Sequence, residues 1–276
     1  MPELPEVETT RRGLAAVLTQ SVLEQFIVHQ PQLRWPVDPD MARYIHGNRL
    51  LSCDRRAKYL LLHFEQGTQI VHLGMSGSLR RVSEHETRRP HDHIEWVFND
   101  ARFLLHDPRR FGAVLWHPAH LGPATDTHPL LASLGKEPFD ASLTASWLRT
   151  QFAGKRQAIK QALMDSRIIV GIGNIYASES LFKARINPKR PAGRLSEQRC
   201  IRLIAAARDT LNEALTAGGS TLRDYTNASG APGAYFELHA AVYDREGQPC
   251  RHCATPIRRL VQSQRATYYC PLCQRY

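Results

Sequence analysis

Nothing in this chain of 276 residues approaches the roughly 18 consecutive apolar residues that a membrane-spanning helix needs. Its first residues, Met1-Pro2-Glu3-Leu4-Pro5-Glu6-Val7-Glu8, are acidic, and lack the basic and apolar regions of a secretory signal. Both absences point to a soluble cytosolic protein. Acidic residues are also in short supply, with 26 Asp plus Glu against 36 Lys plus Arg and a formal charge of +10. Such an excess suits a polyanionic partner, nucleic acid first among them. Six cysteines would allow three disulfides, but a reducing compartment and the arrangement of four of them as two Cys-x-x-Cys pairs favour metal instead. Cys53 and Cys200 remain, each among apolar residues and expected to be buried, inert thiols.

A hydrophobic share of 42% and this length allow two domains with cores of their own. The chain opens with helical spacing over residues 3–19, Leu4, Val7, Leu14 and Leu18 falling on one side. The pattern then turns to period two as far as residue 117. Val22, Phe26 and Val28, then Tyr59–Phe64, residues 69–73, Ile94 with Trp96 and Phe98, and residues 113–116 mark short strands between turn signals. A β-sandwich with the first helix packed against it is the expected architecture. Residues 118–140 carry Pro118, Pro123, Pro129 and Pro138 and read as a linker. Helical spacing resumes over 141–152, 155–165, 174–183 and 196–217. The fold class is therefore α+β and multidomain, with a domain over 1–117, a helical domain over 141–233 and a metal-binding domain over 234–276.

Chemistry-bearing residues stand out at several points. If Met1 is removed, Pro2 carries a free secondary amine, a better nucleophile at neutral pH than lysine and able to form an iminium with an aldehyde-like carbon. A helix beginning here lowers the pKa of that amine and the carboxylates of Glu3 and Glu6 raise it. Pro2 and Pro5 equally suit the opening of an acidic helix, and the sequence at this point leaves both readings standing. The stretch His72-Leu73-Gly74-Met75-Ser76-Gly77 bends sharply around one long apolar side chain, Met75. Asp107-Pro108-Arg109-Arg110-Phe111-Gly112 sets two guanidinium groups beside an aromatic ring, a combination suited to phosphates, base edges and entry into a base stack. A glycine turn ending in Gly171-Ile172-Gly173-Asn174 leads into a helix that Asn174 can cap, with N–H groups suited to a phosphate. Residues 218–233 hold four glycines and no periodicity, as a lid would.

The most specific signal closes the chain. Cys250-x2-Cys253, sixteen residues, then Cys270-x2-Cys273 has the spacing of a four-thiolate zinc site, closed and therefore structural. Two short segments, 257–261 and 265–269, would pair as a hairpin pinned by the metal. Residues 250–276 contain five arginines and no acid, so Arg258, Arg259 and Arg265 have an obvious target in a phosphate backbone.

With these motifs assembled, and with Arg56-Ala57-Lys58-Tyr59-Leu60 and Gln264-Arg265-Ala266-Thr267 beside them, the chain resembles the bacterial formamidopyrimidine-DNA glycosylases almost from end to end. The resemblance implies a β-sandwich domain, a helix-two-turn-helix domain and a zinc finger, with damaged double-stranded DNA in the cleft between them. It implies excision of oxidised purines through a covalent iminium on Pro2, with proton help from Glu3, and then β,δ-elimination. Lys58 matches a lysine at the lesion phosphate and Arg265 the finger arginine that grips phosphate. Met75, Arg109 and Phe111 match the residues that fill the gap left by the flipped nucleotide. His72, His91, Lys155, Asn174 and Tyr243 match further DNA contacts, and 218–233 the lid. One zinc ion, no membrane, no obligate protein partner and a monomer are expected. One departure is visible: Tyr243-Asp244-Arg245 stands where the family usually has tyrosine, glycine, arginine.

Overall fold

The computed structural model describes residues 1–220 and 233–276, which group into two compact units. The first unites Met1–Ser133 with Ala217–Ala234, and the second Leu134–Thr216 with Tyr235–Tyr276. No helix among the described residues is long and apolar enough to cross a membrane.

The first unit begins with helix α1 (Leu4–Leu18), whose Leu4, Val7, Leu14 and Leu18 are all buried, as the spacing requires. Strand β1 (Leu23–Val28) and the short helix α2 (Met41–Ile45) follow. Then come strands β2 (Leu50–Arg56), β3 (Tyr59–Phe64), β4 (Gly67–His72), β5 (Ser78–Val82), β6 (Asp92–Phe98), β7 (Arg102–His106) and β8 (Ala113–Pro118). They form two antiparallel four-stranded sheets, in the orders β1-β6-β7-β5 and β2-β3-β4-β8. Both sheets and α1 contribute to one core, for instance Val7, Leu14, Leu60, Leu62, Ile94, Trp96 and Leu105. Trp96 meets Phe26 edge-on at 5.5 Å and donates its indole N–H to the buried Gln69 at 2.7 Å, so the one polar atom on the ring is satisfied inside the core. Helix α1 is fastened to β2 by Arg11, which donates to the Cys53 carbonyl at 3.0 Å, and by Arg55 Nε at 3.3 Å from Glu8. Residues 118–140 hold a 3₁₀ turn (Ala119–Leu121) and two one-turn helices, α3 (Ala124–Thr127) and α4 (Pro129–Ala132).

The second unit contains helices α5 (Ala145–Phe152), α6 (Ile159–Leu163), α7 (Asn174–Lys183), α8 (Glu197–Thr216) and α9 (Tyr235–Leu238), and strands β9 (Arg258–Gln262) and β10 (Arg265–Tyr269). The helix expected from residue 141 starts at Ala145, because Thr144 Oγ1 caps it by accepting from Trp147 N–H at 3.2 Å. The helix expected over 155–165 is shorter, so Lys155 lies on the loop before α6. The hairpin pairs in register Arg265↔Gln262 through Tyr269↔Arg258, one residue later on its first strand than the sequence pattern placed it.

Glu179, on α7, joins the helices to the chain that enters the hairpin. Its buried carboxylate accepts from three consecutive backbone N–H groups, Ala241 and Val242 at 2.9 Å and Tyr243 at 2.7 Å. Burial pushes its pKa up while those three donors pull it down, and burial prevails. Glu179→Ala would leave three donors without their acceptor, that of Val242 fully buried. A loss of about 2–4 kcal/mol is expected in urea unfolding; an unchanged midpoint would refute this account of the junction.

Candidate functional site

The first unit gathers its candidate residues around the start of α1. Pro2, Glu3 and Glu6 are buried there. Glu3 is the N-cap, and its N–H donates to Glu6 Oε2 at 2.7 Å, one half of a capping box. The sequence left open whether the helix terminus or the two glutamates would control the amine at this end. Burial acts most strongly, lowering the pKa of the Met1 amine; Glu3 and Glu6 oppose it, Lys58 and Arg109 reinforce it, and the net shift is downward. Lys58 reaches this region from the two-residue turn between β2 and β3, where Ala57 takes a positive φ of 55°.

The same electrostatic neighbourhood includes His72 at the end of β4. Its pKa is lowered to about 4 by burial, then by Lys58 and Arg34. The ring is neutral at physiological pH, and its Nδ1 accepts from Gly74 N–H at 3.0 Å, which leaves Nε2–H as the donor. Two turns project apolar groups outward: Met75 is 39% exposed and Phe111 45%. Arg109 lies over the Phe111 ring at 4.8 Å. His91 is exposed, with a positive φ of 71°.

These three loops meet at Asp107, which the sequence showed only as the first residue of a turn. Its buried carboxylate accepts from Gly112 N–H at 2.7 Å and from Ser76 Oγ at 3.4 Å. Its own N–H donates to the His91 carbonyl at 2.9 Å, and its carbonyl accepts from His93 Nε2 at 2.9 Å. The contact is so close that a Cβ on Gly112 would stand 2.9 Å from Asp107 Oδ2, and one on Gly74 2.4 Å from the Phe111 carbonyl carbon.

Residues 221–232 lie outside the description, so most of the expected lid does too. Its ends are described. Ala234 N–H donates to the Ala217 carbonyl at 3.0 Å, and Ser220 donates from N at 2.7 Å and from Oγ at 2.9 Å to Glu6 Oε1. The base of this loop is thereby hydrogen-bonded to the start of α1.

In the second unit Gly173, not Asn174, is the N-cap of α7, and Asn174 is its first residue. The Asn174 amide is committed elsewhere, which corrects the expected capping role. Its Oδ1 accepts from Lys160 Nζ at 2.6 Å and its Nδ2 lies 3.3 Å from Tyr243 Oη. Lys160 is 1% exposed and also donates to the Ala266 carbonyl at 2.9 Å and to Thr267 Oγ1 at 2.7 Å, so one buried ammonium ties α6 and α7 to the hairpin. Sequence reading passed over it; a lone lysine inside Ile159-Lys160-Gln161-Ala162-Leu163 was the available signal. Arg265 is exposed where β10 leaves its turn. It lines a cavity of about 240 Å³ with Lys160, Gln161, Met164, Gln262 and Ser263. Lys155, on the loop before α6, donates its N–H to the Phe152 carbonyl and accepts from Gly193 N–H, each at 3.0 Å.

Cys250, Cys253, Cys270 and Cys273 bring four Sγ atoms within 4.8 Å of one another. Three of the separations are 3.9, 3.4 and 3.5 Å, close to the edges of about 3.8 Å that four sulfurs at zinc-bond distance would form. Backbone N–H groups of His252 and Cys273 point at Cys250 Sγ and Cys270 Sγ at 3.4 Å, as befits thiolates. The donor set fits one tetrahedral zinc ion.

Three family models match the chain: the formamidopyrimidine-DNA glycosylase N-terminal domain over residues 1–114, its H2TH domain over 134–226, and a zinc finger found in FPG and IleRS over 247–275. The formamidopyrimidine-DNA glycosylase of Bordetella pertussis is 61% identical over 275 residues, covering 100% of both chains. The chain belongs to the formamidopyrimidine-DNA glycosylase family. Among solved structures, the MutM (FPG) protein of Thermus thermophilus is 38% identical with a TM-score of 0.88, over 99% of this chain and 98% of that one. The Lactococcus lactis Fpg in complex with an abasic site containing DNA is 27% identical with a TM-score of 0.90, over 99% of this chain and 100% of that one. The multidomain architecture and the zinc site expected from the sequence are those of this glycosylase family.

Two outcomes are expected. Asp107→Ala would free the Gly112 amide and loosen the 73–77 and 108–112 turns together, speeding hydrogen exchange there by about 10–100-fold; loosening confined to one turn would contradict the hub. The native protein should contain one zinc per chain, and a chelator that removes it should abolish amide protection across 258–269; protection that survives metal loss would mean the hairpin stands without its pin.

Proposed function

We propose that this family member acts on damaged DNA as a glycosylase of base excision repair, excises oxidised purines, and then cleaves the strand as an AP lyase. The observation that carries the chemistry is the buried start of α1, where Pro2 and Glu3 lie in surroundings that lower the pKa of an amine. Removal of Met1 would place a secondary amine at Pro2. The surroundings that lower the pKa of the Met1 amine would act in the same sense on it, and the unprotonated form is the nucleophile.

In this reading the Pro2 nitrogen bonds to C1′ of the damaged nucleotide while the C1′–base bond breaks and the amine proton passes to the leaving base; the C1′–O4′ bond then breaks, O4′ taking a proton from Glu3, and the opened sugar is left as a C1′ iminium. The resulting iminium acidifies the C2′ proton, and its loss expels the 3′ phosphate; a second elimination expels the 5′ phosphate. Lys58, whose charge acts on the Met1 amine, serves the lesion phosphate and the first elimination in this reading. Arg265 holds phosphate; a guanidinium with a pKa above ~12 is a poor proton donor. Extruding the base costs a few kcal/mol, which the filling groups Met75, Arg109 and Phe111 offset. His72 donates from Nε2–H, and His91, Lys155, Asn174 and Tyr243 complete the DNA contacts, most of them at phosphates. The zinc ion has a structural role, holding the hairpin that presents Arg265. The chain works as a monomer in the bacterial cytosol.

Borohydride should trap the enzyme on a duplex with 8-oxoguanine opposite cytosine, and peptide mapping should place the adduct on Pro2. No adduct, or one elsewhere, would overturn the mechanism, while faster cleavage of a thymine-glycol duplex would overturn the purine preference. Glu3→Gln should lower base excision on the order of 10²–10⁴-fold and spare duplex affinity.

A further inference from the structure

Asp244 is where this chain departs from the tyrosine, glycine, arginine pattern, and its backbone shows what glycine does there. Its φ is +57°, in the left-handed region, where a residue with a Cβ is held at some cost and glycine is not. What the aspartate adds is an exposed carboxylate. Its Oδ1 accepts from Tyr268 Oη at 3.3 Å. Tyr268 packs edge-on against Tyr243, ring centroids 5.1 Å apart, and Tyr243 Oη reaches Asn174. Opposite Tyr268 in the hairpin register is Arg259, whose Nε lies 4.0 Å from Glu246. The finger itself has no acid from residue 250 onward. The carboxylates bearing on this face of it, Asp244 and Glu246, both come from the segment that leads in.

We propose that Asp244 moderates the finger's grip on DNA: its carboxylate, held beside Tyr268 and one residue from Tyr243, subtracts from the positive potential that Arg259 and the neighbouring donors offer a phosphate backbone. This rests on the reading of the chain as a DNA-binding glycosylase. An acid close to a phosphate site lowers affinity most at low ionic strength, where its field is least screened. It also lowers the number of counterions displaced on binding, and so flattens the dependence of affinity on salt.

The test uses the full-length, zinc-loaded protein and an undamaged duplex, with anisotropy recorded from about 50 to about 400 mM KCl, a range over which phosphate contacts weaken strongly. Asp244→Asn keeps an acceptor for Tyr268 and tolerates a positive φ; Asp244→Gly keeps only the backbone geometry. Glu84→Gln, on the exposed loop between β5 and β6, changes net charge equally and serves as control. Both Asp244 variants should bind about threefold tighter than the parent at the lowest salt, with a steeper salt slope and convergence at the highest. Asp244→Asn no tighter than Glu84→Gln would overturn the proposal. So would a gain confined to Asp244→Gly, which would assign the effect to backbone strain. A parent protein that binds no duplex at any salt would instead sink the underlying reading.

Discussion

Burying a carboxylate is costly unless its oxygens are met by donors, and among the buried acids of the first unit Asp107 is one whose partners join several loops. One donor, Gly112, closes the turn that Asp107 itself begins and the other, Ser76, comes from a turn distant in sequence, while the backbone of Asp107 is bonded to His91 and His93. Satisfying one acid therefore fixes three loops at once. That bracing is why Met75 and Phe111 can stand exposed. Apolar tips on unbraced loops would fold down onto the sheet and bury themselves; here the turns beneath them are held by hydrogen bonds that water cannot easily replace.

The second unit solves the same problem with charges of both signs. Glu179 collects the N–H groups of three successive residues, and Lys160 collects acceptors from α7 and from the hairpin. Neither provides cheap stability, because a buried ion gives up its hydration. What each provides is geometry. An ammonium that donates to Asn174 Oδ1 dictates which way that amide turns, and so which of its atoms faces Tyr243.

Much of this was legible in the sequence, and the boundary between legible and hidden has a physical basis. Helix α1, strand β3, helix α7 and the zinc ligands were readable because each rests on a periodicity or spacing within a few residues. The start of α5 shifted because a threonine cap outweighed apolar spacing, and α6 proved short enough to leave Lys155 on a loop. Strand β2, with Asp54, Arg55 and Arg56, and strand β5, with Arg80 and Arg81, carry charges that obscure alternation. For Lys160 an apolar helical setting hinted at burial but not at its partners, and the roles of Asp107 and Glu179 were out of reach altogether. Each depends on partners brought together by tertiary structure, which no local pattern names.

The two cysteines left over from the metal site have a consequence for reagents. Cys200 is wholly buried with its thiol pKa raised by that burial, and Cys53 is buried with its own pushed up to about 12. Alkylating agents attack thiolates that they can reach, and neither sulfur qualifies. In the folded chain, then, every thiol that such a reagent counts belongs to the finger. Labelling kinetics would report the occupancy of the metal site directly, with no background to subtract and no cysteine to mutate away.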